Sequence, residues 1–205
     1  MSKQYFSLSF TGRLVALSLL AFTVLPSVSH AQKGPIFEIT PVVSTVKFDV
    51  EASVAIAGTF DKWEATLTFP TTDATSGILD VKIYADSVNT GSGMKDGKLK
   101  SKDFFNAKDD PYITFHSTKT VQTGPNSFEM DGDFTIRGVN KPEKLNLTVS
   151  GKGTGSGTIN GVMAFDRKDY GMDSGIPFIK IANRVEVTVD LKGKKISGPP
   201  LVFKE

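Results

Sequence analysis

The sequence predicts an all-β protein, an eight-stranded antiparallel up-and-down barrel with one short helix around 94–105. Three observations carry that reading: apolar residues alternate with polar ones in run after run, turn-forming residues separate the runs at short intervals, and a single segment has helical character. Alternation of period two marks strands with one buried and one wet face, the pattern of an antiparallel sheet solvated on one side.

The alternation can be followed along the chain. Val46, Phe48 and Val50 share one face against Lys47 and Asp49, and Trp63, Ala65, Leu67 and Phe69 share one against Glu64, Thr66 and Thr68. Leu79, Val81 and Ile83 follow, then Phe128, Met130, Phe134 and Ile136, then Leu145, Leu147 and Val149. Met163 and Phe165 lead to the last series, Val185, Val187, Val189 and Leu191, set against Glu186, Thr188, Asp190 and Lys192. Turns are expected at Pro70 to Gly77, at Thr123 to Asn126, at Val139-Asn140-Lys141-Pro142 and at the glycine-rich Gly151 to Gly157. The last of these lacks the lysine-hydroxyl ending of a phosphate loop and is read as a hairpin tip. The helical candidate, Met94 to Phe105, lies between Gly91-Ser92-Gly93 and the Asp109-Asp110-Pro111 break. Evenly spaced strands with one apolar face close most simply into a barrel. A sandwich is the alternative. About eight strands leave an interior that side chains fill or that holds one small ligand, and alternation does not distinguish the two.

The first 31 residues read as an export signal rather than as part of the fold. Lys3 and Arg13 supply positive charge, and no acidic residue precedes Glu38. Leu14 to Leu25 is a run of 12 apolar or small residues, Pro26 ends it, and Ser29-His30-Ala31 offers a small-x-small cleavage pattern. The run is shorter than the roughly 18 residues of a spanning helix, so cleavage after Ala31 is favoured over an uncleaved anchor. Residues 32–205 then form a single domain, periplasmic or secreted. The 24 Lys and Arg against 22 Asp and Glu of the whole sequence become 22 against 22 once Lys3 and Arg13 are gone. A neutral chain gives no push toward a nucleic-acid partner. There are no cysteines, so stability comes from packing and backbone pairing.

The residues that carry chemistry are sparse. With His30 removed, His116 is the remaining histidine, and parity turns it away from the face of Ile113 and Phe115. A hydrolase base would need a nucleophile beside it, and adjacent Ser117 points the opposite way along the strand. One His with no Cys leaves a zinc site to carboxylates, so no metal and no resident cofactor is expected. The mixed-charge run Asp166-Arg167-Lys168-Asp169 reads as a loop braced by an arginine. Lys95, Lys98, Lys100 and Lys102 form a basic cluster that is either an ordinary solvated face or a rim for an anionic head group or membrane surface. Fifteen phenylalanines are many for this length, and Phe48, Phe60, Phe69, Phe115, Phe134 and Phe165 all fall on the inward parity.

Four segments then occur in a telling order. They are Leu99-Lys100-Ser101-Lys102-Asp103-Phe104-Phe105, Pro111-Tyr112-Ile113-Thr114-Phe115-His116-Ser117, Gly132 to Pro142 (GDFTIRGVNKP), and Asp166-Arg167-Lys168-Asp169-Tyr170-Gly171. With Gly58-Thr59-Phe60 upstream, the set resembles the YceI-like family of exported polyisoprenoid-binding proteins, over about Ile39 to Leu191. The resemblance implies a lipocalin-like barrel of eight antiparallel strands, without catalysis, around one long isoprenoid, a prenyl quinone or a similar amphiphile. Two departures concern the head group: the family's early His-Ser pair is Val43-Ser44 here, and the His before the Leu-x-Ser leucine is Lys98. The expected cavity lining is Phe48, Phe60, Leu67, Phe69, Ile83, Phe115, Phe134, Ile136, Leu147 and Phe165, with Lys95, Lys98, Lys100 and Arg167 at the head group or rim. A small amphiphilic lipid is the expected partner; a transient membrane contact and a homodimer are compatible with it. The rival readings are a ligand-free structural or stress-protective domain, marked by an interior filled with side chains, and an enzyme acting on the bound lipid, marked by convergent polar groups inside the barrel.

Overall fold

The computed structural model describes residues 33–53, 56–175 and 178–205, so the expected export signal lies outside the described residues. The strands are β1 (Ile36–Ile39), β2 (Thr45–Ala52), β3 (Ile56–Phe60), β4 (Trp63–Thr68), β5 (Ile78–Tyr84), β6 (Val88–Asn89), β7 (Tyr112–Gln122), β8 (Ser127–Ile136), β9 (Val139–Ser150), β10 (Ser156–Asp166) and β11 (Ile181–Ser197). All lie in one sheet with antiparallel neighbours. The ring closes because β1 pairs with β11 on one side and with β4 on the other.

Eleven strands make eight staves. β1 with β2, β3 with β4, and β5 with β6 are each a single stave broken once, while β7 to β11 run unbroken. Each break is repaired locally. Pro41 opens a 3-10 turn between β1 and β2. Ser44 restitches the ladder there: its hydroxyl donates to the Thr40 carbonyl at 2.8 Å and accepts from the Lys192 N–H at 2.9 Å. At the second break the Ser87 hydroxyl accepts from the Lys62 N–H at 3.0 Å and donates to the Tyr84 carbonyl at 2.7 Å.

Two local expectations are corrected. The helix, α1 (Gly93–Lys100), is shorter than 94–105. Ser101 adopts an extended ψ of 165° and returns its N–H to the Lys98 carbonyl, which ends the helix. The chain then curls so that the Phe105 N–H reaches the Leu99 carbonyl at 2.9 Å. Leu99, Phe104 and Phe105 are buried and cover one end of the barrel. The turn expected at 139–142 falls instead at Arg137-Gly138, both left-handed with φ of 55° and 70°. That is the two-residue hairpin whose twist matches its flanking strands. Asn140 to Pro142 belong to β9, and Pro142 is tolerated because β10 pairs with β9 only from Asn146 onward.

The expected inward faces are inward. Val46, Phe48, Leu79, Met130, Phe134, Leu145, Met163, Phe165, Val189 and Leu191 are all buried in one continuous core. Gly132 and Gly161 are inward positions that carry no side chain. A Cβ on Gly132 would lie 2.6 Å from the Phe115 ring and 2.6 Å from the His116 carbonyl oxygen, and one on Gly161 would lie 2.7 Å from both Leu147 and Val189. Large neighbours thus occupy the room that small residues leave.

Gly132→Ala is expected to cost about 1–3 kcal/mol by overpacking against a ring and a backbone oxygen. Gly97→Ala, on α1 with nothing within 4 Å of the new methyl, is expected to stabilise by about 0.5–1 kcal/mol. Urea unfolding of the two variants, read through Trp63 fluorescence, checks both signs.

Candidate functional site

Among the described residues, the interior holds a cavity toward each end of the staves. The first, about 60 Å³, lies under α1. Phe48, Phe60, Ile83, Phe134, Ile136 and Phe165 line it, as do Leu99, Phe104 and Phe105. The second is larger, about 230 Å³, and lies at the other end, under the glycine-rich hairpin. Leu67, Phe69 and Leu147 line it, together with Phe128 and Met130.

A packed middle layer separates them. Along β10 the second cavity touches Ile159 and the first touches Phe165, with Gly161 and Met163 between. Along β8, Gly132 falls between Met130 and Phe134 in the same way, and along β11, Val189 falls between Val187 and Gly193. Phe115 belongs to this layer, so of the ten residues expected to line one cavity, six meet the first, three the second and Phe115 neither. Alternation reports which face a residue occupies but carries no information on depth along the barrel.

The two ends are fastened differently. At the α1 end, two arginines bind backbone carbonyls. Arg167 is 6% exposed and lines the first cavity. Its Nε donates to the Ala182 carbonyl at 3.1 Å, and its Nη1 donates to those of Ser174 (3.1 Å) and Met172. Arg137 donates to Tyr170, Gly171 and Lys102 carbonyls, joining its own hairpin to two other loops. The sequence pattern hid this role, because Arg137 precedes the turn expected at 139–142 and reads as the end of an alternating strand. The Arg167 guanidinium thus binds chain rather than standing free at a rim.

Lys95, Lys98 and Lys100 of α1 are half-buried, and Lys102, just beyond it, is exposed. Lys98 pairs with Asp103 at 2.6 Å, and that hydrogen bond and charge hold the Asp103 carboxyl below its ordinary range. His116 faces outward, with Nδ1 2.6 Å from Asp80. Ser117 faces inward, 3% exposed, and its Oγ accepts the Leu79 N–H at 2.8 Å. Nearby residues of the sequence therefore lie on opposite sides of the wall. Among the described residues no group of His, Cys, Asp and Glu is placed to hold a metal ion.

At the other end the closing elements are the hairpin and the last residues of the sequence. Gly151, Gly153 and Gly155 all have positive φ, and the Lys195 N–H donates to the Gly155 carbonyl at 2.7 Å. The segment 199–205 crosses the opening. The Val202 N–H donates to the Thr72 carbonyl at 2.7 Å, the Ala74 N–H donates to the Val202 carbonyl at 2.9 Å, and Gln122 makes two 2.8 Å hydrogen bonds to the Lys204 backbone. Pro200, Leu201 and Phe203 complete the wall of the larger cavity. These residues do not alternate and follow Gly198-Pro199-Pro200, so no strand signal marks them.

A YceI-like domain matches residues 37–193. The chain belongs to the YceI-like family. Among solved structures it is similar to BcnA of Burkholderia cenocepacia, at 25% identity and a TM-score of 0.69, over 76% of this chain and 99% of that one. It also shares its fold with a polyisoprenoid binding domain from Saccharophagus degradans, at 16% identity and a TM-score of 0.62, over 78% and 99% of the two chains. Among named relatives, a UPF0312 protein of Pseudomonas savastanoi pv. phaseolicola is 29% identical over 122 residues, 57% of this chain. The match spans 64% of that relative's length, less than two thirds. The YceI protein of Escherichia coli O157:H7 is 34% identical over 96 residues, covering 47% and 50% of the two chains. In this YceI-like chain the strap at 199–205 lies beyond the family match, which ends at 193.

One titration follows from the packing at the α1 end. Tyr170 is fully buried, and its hydroxyl donates to Glu143 at 2.8 Å. Burial pushes its phenol above the ordinary value of 10.0, and the Glu143 hydrogen bond adds to the rise. A raised phenol pKa means the folded state holds the proton more tightly. The stabilisation is therefore whole below 10.0 and is lost as pH rises past it. Tyr170→Phe is expected to make the alkaline fall in stability shallower, measured as urea midpoints between neutral pH and about pH 11.

Proposed function

We propose that the protein is exported and binds a polyisoprenoid or a similar long-chain amphiphile inside its barrel, for storage or transport rather than chemical change. The observation that carries this is a closed barrel holding space bounded largely by apolar side chains at both ends. An apolar chain entering that space leaves water, at about 0.8 kcal/mol for each buried CH₂. A bilayer offers a similar gain, which suits reversible exchange with a membrane and so a transient membrane contact. Family membership and a structural neighbour described as a polyisoprenoid binding domain support a lipid-like ligand. The reading of residues 1–31 supports export and a periplasmic or secreted location. A binding role also fits the placement of the chemistry-bearing groups: Ser117 is engaged with backbone, and His116 faces the outside.

Native mass spectrometry of gently purified protein is expected to show one co-purified lipid per chain. Protein that repeatedly emerges empty sinks the proposal and favours a ligand-free domain. The middle layer supplies a second check. Met163→Ala is expected to destabilise by about 2–5 kcal/mol and to join the two spaces, so that longer chains bind relative to wild type. Equal chain-length preference in the two proteins counts against a ligand that runs the length of the barrel.

A further inference from the structure

The two ends of the barrel differ in a way that assigns an entrance. The α1 end is bolted by Arg137 and Arg167 through hydrogen bonds to several backbone carbonyls, and the cavity behind it is about 60 Å³. The opposite end has the larger cavity, about 230 Å³. It is covered by three glycines of positive φ and by a strap held through a few backbone hydrogen bonds.

Charge at that mouth is one-sided. Lys152 and Lys195 both border the larger cavity. Among the described residues neither ammonium has a carboxylate partner, whereas Lys98, Lys141, Lys144 and Lys192 each do. Lys152 stands over the Phe203 ring instead, its Nζ 4.1 Å from the centroid, and Phe203 packs on Phe128 with centroids 6.1 Å apart. An apolar cavity with two uncompensated lysines at its opening matches a single-chain amphiphile with an anionic head. The lysines' stems cover apolar surface while their charged ends meet the head group.

The strap decides how much chain can enter. With Leu201 and Phe203 in the wall, the cavity measures about 230 Å³, below the 300–1,000 Å³ usual for pockets that bury a drug-sized ligand. Moving 199–205 away removes part of that wall while leaving ring closure intact, because β1 pairs with β11 only as far as Ser197.

Resting on the lipid-binding reading above, we propose that the mouth beneath the glycine-rich hairpin is the lipid port. Lys152 and Lys195 hold the ligand's anionic head group there, and the strap at 199–205 covers the port and swings aside for entry.

The test uses two fluorescent probes, dansylaminoundecanoic acid and its uncharged methyl ester. The double variant Lys152→Gln with Lys195→Gln is expected to bind the acid roughly three- to tenfold more weakly, with ester affinity unchanged. Unchanged acid affinity, or equal weakening for both probes, overturns the head-group assignment. A chain ending at Ser197, and separately Leu201→Ala with Phe203→Ala in the full chain, are expected to take up both probes several-fold faster in stopped flow. Uptake at the wild-type rate or slower in both overturns the strap's role. If wild-type protein binds neither probe, the failure lies with the lipid-binding reading itself and not with the placement of its port.

Discussion

Four residues close the barrel at the end beneath the glycine-rich hairpin, while β2, paired with β11 and β3, closes it at the α1 end. β1 is hydrogen-bonded along both edges, to β11 through Ile36 to Ile39 and to β4 at Ile36. Without it, β4 and the last residues of β11 would present open edges at that end, each a row of unpaired backbone groups. Closure also makes an inside. A sheet of this alternation buries its apolar face only if the face curls onto itself or meets a second layer, and here it curls. The buried core, the cavities and the outward siting of His116 all follow from that one ring of hydrogen bonds.

Once the ring is closed, the distribution of side-chain size along the staves determines what the interior can hold. Bulk is concentrated midway, where Phe115 fills the room left at Gly132, and Leu145, Leu147 and Val189 fill that left at Gly161. Space is left toward the ends. The α1 end is then consolidated by aromatic packing, with Phe48, Phe60 and Phe105 in mutual contact at 5.5–6.2 Å and Phe134, Phe165 and Tyr170 at 5.1–5.4 Å. Two arginines tie the surrounding loops to one another. Arg137 holds a left-handed φ that is costly for a side chain with a Cβ, and its carbonyl contacts offset that cost.

Much of this was legible in the residues. Parity placed Phe48, Phe134 and Leu147 inside and His116 outside, because the period of a strand is fixed by covalent geometry. Five unbroken staves and three broken ones were not separable, since a break such as Ser44 or Ser87 leaves parity nearly intact. The hairpin at 137–138 was displaced toward Asn140 and Pro142 because those residues have stronger turn propensity than an arginine. Depth along the barrel escaped altogether: Phe48 and Phe69 have the same sequence signature and meet different cavities. The closing strap was invisible for a related reason, since Leu201 and Phe203 act through two backbone bridges and a gap they fill, neither of which has a period.

The double pairing of β1 also has a consequence in time. Ile36 meets Ser197 across most of the chain's length, so the contacts that define an interior are among the least local in the molecule. Their loop-closure entropy must be met before they return any stabilisation, which slows folding of β-rich topologies. A chain still lacking residues 193–197 has hairpins but no β1–β11 seam. The inside of this protein is completed only where the two ends of its sheet meet.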